Sequence, residues 1–187
     1  LDEYINSHDE VSALKGVKFR QGDVVTTAIE CENGELITLK LDTTLPRLYD
    51  REITVSGTKG YYNQTLRSVV LDGDRFDHEK NVIQDSLNSQ DDYDEYLPDD
   101  WKTITEEQLK TGHGGMDFVM LKHFFIAVKN KEEMPIDVYE ACAMMCVTAL
   151  SEESIKKGGA PVEVPDFTNG AYKTRSIKDV LPLPNVN

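Results

Sequence analysis

The longest apolar segments fall between Gly112 and Phe167, and their spacing predicts two helices. From Met116 to Lys129, Met116, Val119, Met120, Phe124 and Ala127 recur at helical intervals, while Leu121, Phe125 and Val128 widen the apolar arc beyond a surface stripe. This helix is expected to be mostly buried. Asp137 reads as the N-cap of a second helix, with Glu140 as its capping-box partner, and the thirteen residues Val138 to Leu150 carry one charge. The second helix is expected to form the core. Gly158-Gly159 supplies its stop, and Pro161, Val162, Val164 and Pro165 form a short extended exit.

Upstream, the period changes to two. Val25, Thr27, Ile29 and Cys31 share one strand face, Glu32-Asn33-Gly34-Glu35 makes a turn, and Ile37, Leu39 and Leu41 share the face of a second strand. A third strand spans 51–56 with Ile53 and Val55 inward, and Tyr61 to Leu71 offers one or two more after Gly57-Thr58-Lys59-Gly60. Residues 17–71 are therefore expected to form an antiparallel meander of about four to six strands. Residues 72–111 are polar and read as an acidic loop, 112–168 as the helical core, and 169–187 as a surface tail. The expected architecture is α+β, an open antiparallel sheet with helices packed on one face, in a single domain over residues 1–187.

Charge removes some partners from consideration. Against 20 basic residues stand 34 acidic ones, a formal charge of −14, so neither nucleic acid nor an anionic membrane surface is an expected partner. No run approaches the roughly 18 apolar residues of a membrane span. Residues 1–15 lack the basic-then-apolar order of a signal peptide. The first residue is Leu rather than Met, and sequence upstream is expected. Cys31, Cys142 and Cys146 form no disulfide framework; Cys142 and Cys146 lie one helical turn apart, but no His or second Cys pair follows at zinc spacing, and free thiols are the expectation.

Candidate chemistry concentrates at two places. Gly112-His113-Gly114-Gly115 precedes the first apolar helix, with Asp117 in its first turn; the glycines could let backbone approach a ligand beside the imidazole, or could serve only a tight turn with His113 as a cap. In LPRLYDRE, Arg47, Tyr49 and Arg51 cluster at a strand end, where two guanidinium forks and a phenol could grip a polyhydroxylated or phosphorylated ligand, or could be an ordinary solvated strand end. The acidic block DDYDEYLPDD, 91–100, lacks the ligand alternation and central glycine of a calcium loop, so no metal is expected there. Trp101 beside it reads as a packing anchor, with a sugar platform as the other use of such aromatics. His123 reads as a helix-face histidine near the core, His8 and His78 as solvated.

Three segments together, GHGGMDFVML, MPIDVYEACA and LSEESIKKGGAPVEVPDF, resemble the C-terminal domain of the Gfo/Idh/MocA oxidoreductase superfamily. More narrowly they resemble its glycosidase branch, the NAD-dependent alpha-N-acetylgalactosaminidases, and the hairpin region GDVVTTAIECENGELITLKLDTTLPRLYDREITVSGTKG extends the likeness over roughly residues 1–168. The resemblance implies a substrate-side and oligomerisation domain joined to an N-terminal Rossmann domain that binds NAD and is absent from this chain. It implies a carbohydrate substrate, an N-acetylhexosaminide, cleaved by transient oxidation and elimination, a route outside the usual two-carboxylate chemistry. By the same resemblance Tyr49 is the active-site tyrosine and His113 a substrate contact, and Arg47 and Arg51, which flank Tyr49, are the further candidates for binding substrate. The family's Tyr-Pro-Thr-His-Gly motif does not occur in this sequence. No cofactor is therefore expected on this chain by itself, and a homo-oligomer is expected of the full protein. The competing expectation, drawn from the charge alone, is a non-enzymatic acidic interaction module.

Overall fold

The structure is a computed structural model that describes residues 1–19, 22–42, 45–73, 86–176 and 181. It is α+β, with open antiparallel sheets and helices. The chain divides into two compact units, one of Leu1–Leu48 with Val138–Arg175, the other of Tyr49–Asp137 with the segment from Ser176 on.

The first unit opens with helix α1 (Asp2–Ser7), whose Ile5 is buried. Leu1 N donates to Asp23 Oδ2 at 2.9 Å, just before strand β1 (Val24–Glu30). β1 pairs antiparallel with β2 (Leu36–Asp42), placing Val25 opposite Leu41, Thr27 opposite Leu39 and Ile29 opposite Ile37. This is the register set by the Asn33-Gly34 turn, where Gly34 takes φ 94° and Cys31 N–H donates to Glu35 O at 2.8 Å. On β1, Val25 is buried and Thr27 and Ile29 half-buried while their neighbours are exposed, the alternation that the period of two predicts. The long C-terminal helix of this unit, Val138–Lys156, meets that face: its Ser151, 8% exposed, shares a 2.9 Å hydrogen bond with Thr27. It stops at Gly158 and Gly159, both at positive φ, with Gly159 N–H donating to Ser154 O at 2.8 Å.

The second unit carries a three-stranded sheet of β3 (Thr54–Ser56), β4 (Gly60–Asn63) and β5 (Ser68–Leu71). The expected single meander is thus two separate sheets, of two and three strands. Residues 74–85, which include His78, lie outside the described residues. Within 86–111, where the sequence led us to expect an acidic loop, a 3-10 turn (Ser89–Tyr96) is followed by short helices α2 (Asp99–Lys102) and α3 (Glu106–Leu109). Ser89 Oγ accepts from Val69 N–H and donates to Val69 O, binding the turn to β5 as a strand would. Thr105 and Gln108 form a reciprocal capping box that fixes the start of α3. The apolar helix follows as α4 (Met116–Asn130), making Val138–Lys156 α5.

Burial departs from the sequence expectation in both long helices. α4 buries only Val119 and Ala127 and leaves Met120 and Phe125 each 61% exposed. α5 buries Ser151 alone and leaves Met145 75% exposed, so it is not the core. The reason lies in the surfaces presented to each helix. An arc of apolar residues can be covered only as far as neighbouring elements reach, and much of each arc stays open to solvent.

Candidate functional site

Tyr49 begins the second unit and is 84% exposed, an unusual state for a large aromatic that would otherwise bury its ring. It is held by its neighbours rather than by packing. Arg51 Nε donates to the Tyr49 hydroxyl oxygen at 3.4 Å. Between them, Asp50 Oδ1 accepts from Glu52 N–H at 2.8 Å and Oδ2 accepts from Thr65 Oγ at 2.5 Å, which ties the strand-end segment to the loop between β4 and β5. Glu52 sits at φ 49°, a left-handed conformation that costs a non-glycine residue about 1–2 kcal/mol, and the Asp50 carboxylate is the local group that bonds the Glu52 N–H there. Asp50 was not singled out by the sequence; the local signal was an Asp two residues before a backbone N–H, the usual Asx-turn spacing.

Arg47 belongs to the first unit, and its guanidinium is turned back on the strand end. Nε donates to Asp42 O at 2.8 Å and Nη1 to Leu48 O at 3.1 Å, while the Asp42 carboxylate stands 3.8 Å from Nε. The structure thus brings Tyr49 and Arg51 together and gives Arg47 a set of backbone partners.

His113 lies in a tight turn over Gly112–Gly115, at φ 55° and ψ 39°, followed by Gly114 and Gly115 at φ 67° and 93°. Gly115 is buried at a positive φ that favours glycine, and a Cβ there would lie 2.6 Å from Ile104 Cδ1, which would have to shift. The imidazole is 67% exposed, and its Nδ1 is 3.0 Å from Asp117 Oδ1 in the first turn of α4.

A third cluster escaped the sequence reading. Asp100, at the end of the acidic block, accepts hydrogen bonds from Lys122 Nζ and from His123 Nε2, the latter at 2.8 Å. Lys122 holds the Asp100 carboxyl below the usual carboxylate range; burial works against this and His123 adds to it. His123 therefore has a specific partner, which the sequence did not supply because the pair is 23 residues apart. In the same block Asp91 pairs with Arg67, so two of its acidic side chains are tied to the fold rather than simply solvated. His8, expected to be solvated, stacks on Tyr4 with ring centroids 4.0 Å apart. Cys31, Cys142 and Cys146 are free thiols, all half-buried. Among the described residues no group of three His, Cys, Asp or Glu side chains is disposed to hold a metal ion.

The family model described as "Glycosyl hydrolase 109, C-terminal domain" matches residues 1–174. The chain belongs to glycosyl hydrolase family 109. The likeness read from the three sequence segments thus holds at the level of the family. Among curated relatives, a glycosyl hydrolase family 109 protein of Stenotrophomonas maltophilia is 42% identical over 159 residues, 85% of this chain and 34% of the relative. An alpha-N-acetylgalactosaminidase of Tannerella forsythia is 36% identical over 156 residues, 83% of this chain and 32% of the relative. A family 109 protein of Parabacteroides distasonis is 36% identical over 168 residues, 90% of this chain and 35% of the relative. The chain spans about a third of the length of the family 109 relatives it matches.

Proposed function

We propose that this chain is the substrate side of a family 109 glycosidase that acts on an N-acetylhexosaminide by transient oxidation and elimination, with NAD carried on an N-terminal Rossmann domain of a longer protein. The reading is supported by the family membership and by the name of the Tannerella relative, an alpha-N-acetylgalactosaminidase. The described residues do not themselves form a seat for NAD. Both described sheets are antiparallel, so no parallel strand-helix-strand unit is present among the described residues to seat a pyrophosphate, and the glycine turn at 112–115 follows a helix rather than a strand.

The observation that carries the reading is the exposed, hydrogen-bonded Tyr49. A phenol oxygen that accepts from the Arg51 guanidinium keeps its own O–H free to donate. Tyr49 can therefore donate to a sugar oxygen, or exchange a proton with it, as the catalytic residue. Arg51 orients it, and His113, in the same unit, is the further substrate contact.

Tyr49→Phe in the full-length protein tests this. Losing one hydrogen bond that strengthens in the transition state costs on the order of 1–4 kcal/mol, a drop of roughly fivefold to a thousandfold in kcat/KM on an aryl N-acetylgalactosaminide. Stability should change by less than about 0.5 kcal/mol, because the side chain is at the surface. Unchanged kcat and KM would return Tyr49 to an ordinary strand end.

A further inference from the structure

We propose that Asp117 is the positioning residue of His113, fixing the imidazole with its proton on Nδ1 so that Nε2 is presented to a sugar hydroxyl as an acceptor. The inference rests on the reading of His113 as a substrate contact and adds to it the direction of the hydrogen bond. A carboxylate can only accept, so at 3.0 Å from Asp117 Oδ1 it is Nδ1 that carries the hydrogen. In the neutral ring the lone pair then resides on Nε2, because the bond made by one nitrogen sets the state of the other.

Two independent features show that the arrangement is built into the turn. The other carboxylate oxygen, Asp117 Oδ2, lies 2.0 Å from where a Cβ on residue 112 would stand. Gly112 is not among the glycines at positive φ, so its backbone would accept alanine, but a Cβ there would have to displace the Asp117 carboxylate. The Asp117 carboxylate occupies the space of the missing side chain. His113 itself, a non-glycine residue at φ 55°, stands in the left-handed region at a cost of about 1–2 kcal/mol. With the ring 67% exposed, packing does not hold it, whereas the bond to Asp117 does.

The acceptor role selects ligand chemistry. A neutral ring with a bare Nε2 takes a hydrogen bond, or a proton, from a hydroxyl; the opposite tautomer would donate and favour a carbonyl or ether oxygen. Asp117 thus biases the site toward a hydroxyl-bearing face of the sugar.

The test uses the full-length protein labelled with nitrogen-15 in histidine, at a pH where the ring is neutral, with the His113 signals assigned by their loss in His113→Ala. The wild type should show the Nδ1–H tautomer. In Asp117→Ala the ring should shift toward Nε2–H, and Gly112→Ala should do the same by displacing the carboxylate without removing it. Both variants should lose about ten- to a hundredfold in kcat/KM on an aryl N-acetylgalactosaminide, and Asp117→Ala should cost nothing further in a His113→Ala background. An Nε2–H tautomer in the wild type, or a tautomer indifferent to Asp117→Ala, overturns the inference. If His113→Ala leaves kcat/KM unchanged, His113 is not a substrate contact, and the reading beneath the inference fails. If His113→Ala lowers kcat/KM while Asp117→Ala and Gly112→Ala keep wild-type values, the inference alone fails.

Discussion

Replacing Asp100 by Asn should destabilise the second unit in a pH-dependent way. The carboxylate is 13% exposed and accepts from both Lys122 and His123. Asn has a single acceptor oxygen and no charge, so one bond is lost and the other becomes weaker. Lys122 is 43% exposed and can turn to water, but His123, 19% exposed, is left with less. Hydrogen bonds to charged groups contribute about 1.5–3 kcal/mol, and the solvent open to Lys122 places the expected loss near the lower half of that range, about 1.5–2 kcal/mol. The sign of the pH dependence follows from the depressed Asp100 pKa. A carboxylate ionised more readily in the folded state than in the unfolded one stabilises above its ordinary value of about 3.9, and that contribution is lost as pH falls through its lower folded value. Urea unfolding of wild type and Asp100→Asn, compared at pH 7, 5 and 3, should show the full gap at pH 7 and 5 and a smaller one at pH 3. An Asn variant as stable as wild type at pH 7, or a gap as large at pH 3 as at pH 7, would refute the reasoning.

Ser151→Ala should cost about 1 kcal/mol in urea unfolding by leaving the Thr27 hydroxyl unpaired, and the double variant Ser151→Ala/Thr27→Val should recover most of it, since an apolar pair leaves nothing unsatisfied; additive losses would mean the hydroxyls do not depend on each other. Gly115→Ala should lose about 2–4 kcal/mol, combining a positive φ with a Cβ placed 2.6 Å from Ile104 Cδ1, and a denaturation midpoint equal to wild type would show that the turn can relax.

Several local features of this protein were legible in the sequence because the forces that set them are local. The Asn33-Gly34 turn fixes the β1–β2 register, since few residues tolerate its positive φ. The period of two chose the inward face of β1, and the Gly158-Gly159 pair stopped α5 through bonds to carbonyls a few residues back. At Gly112–Gly115 the sequence showed glycines around an imidazole but left a bare turn and a ligand site equally open. Only the folded chain showed that the room at Gly112 is taken by Asp117.

The tertiary structure decided how much each helix buries and which distant charges meet. Apolar periodicity in α4 and α5 reports what a helix could bury, whereas burial depends on the area that neighbouring elements supply; Met120, Phe125 and Met145 stay exposed although they belong to long apolar runs. The acidic block was readable as charge but not as structure, because the contacts of Asp91 with Arg67 and of Asp100 with Lys122 and His123 close loops of more than twenty residues. Their formation depends on where the intervening chain goes, and no local propensity encodes that path. Pattern and turn chemistry act over a few residues, and so sequence determined the β1–β2 hairpin and the two long helices; sheet partition, coverage and charge pairing act through space, and so the fold determined those.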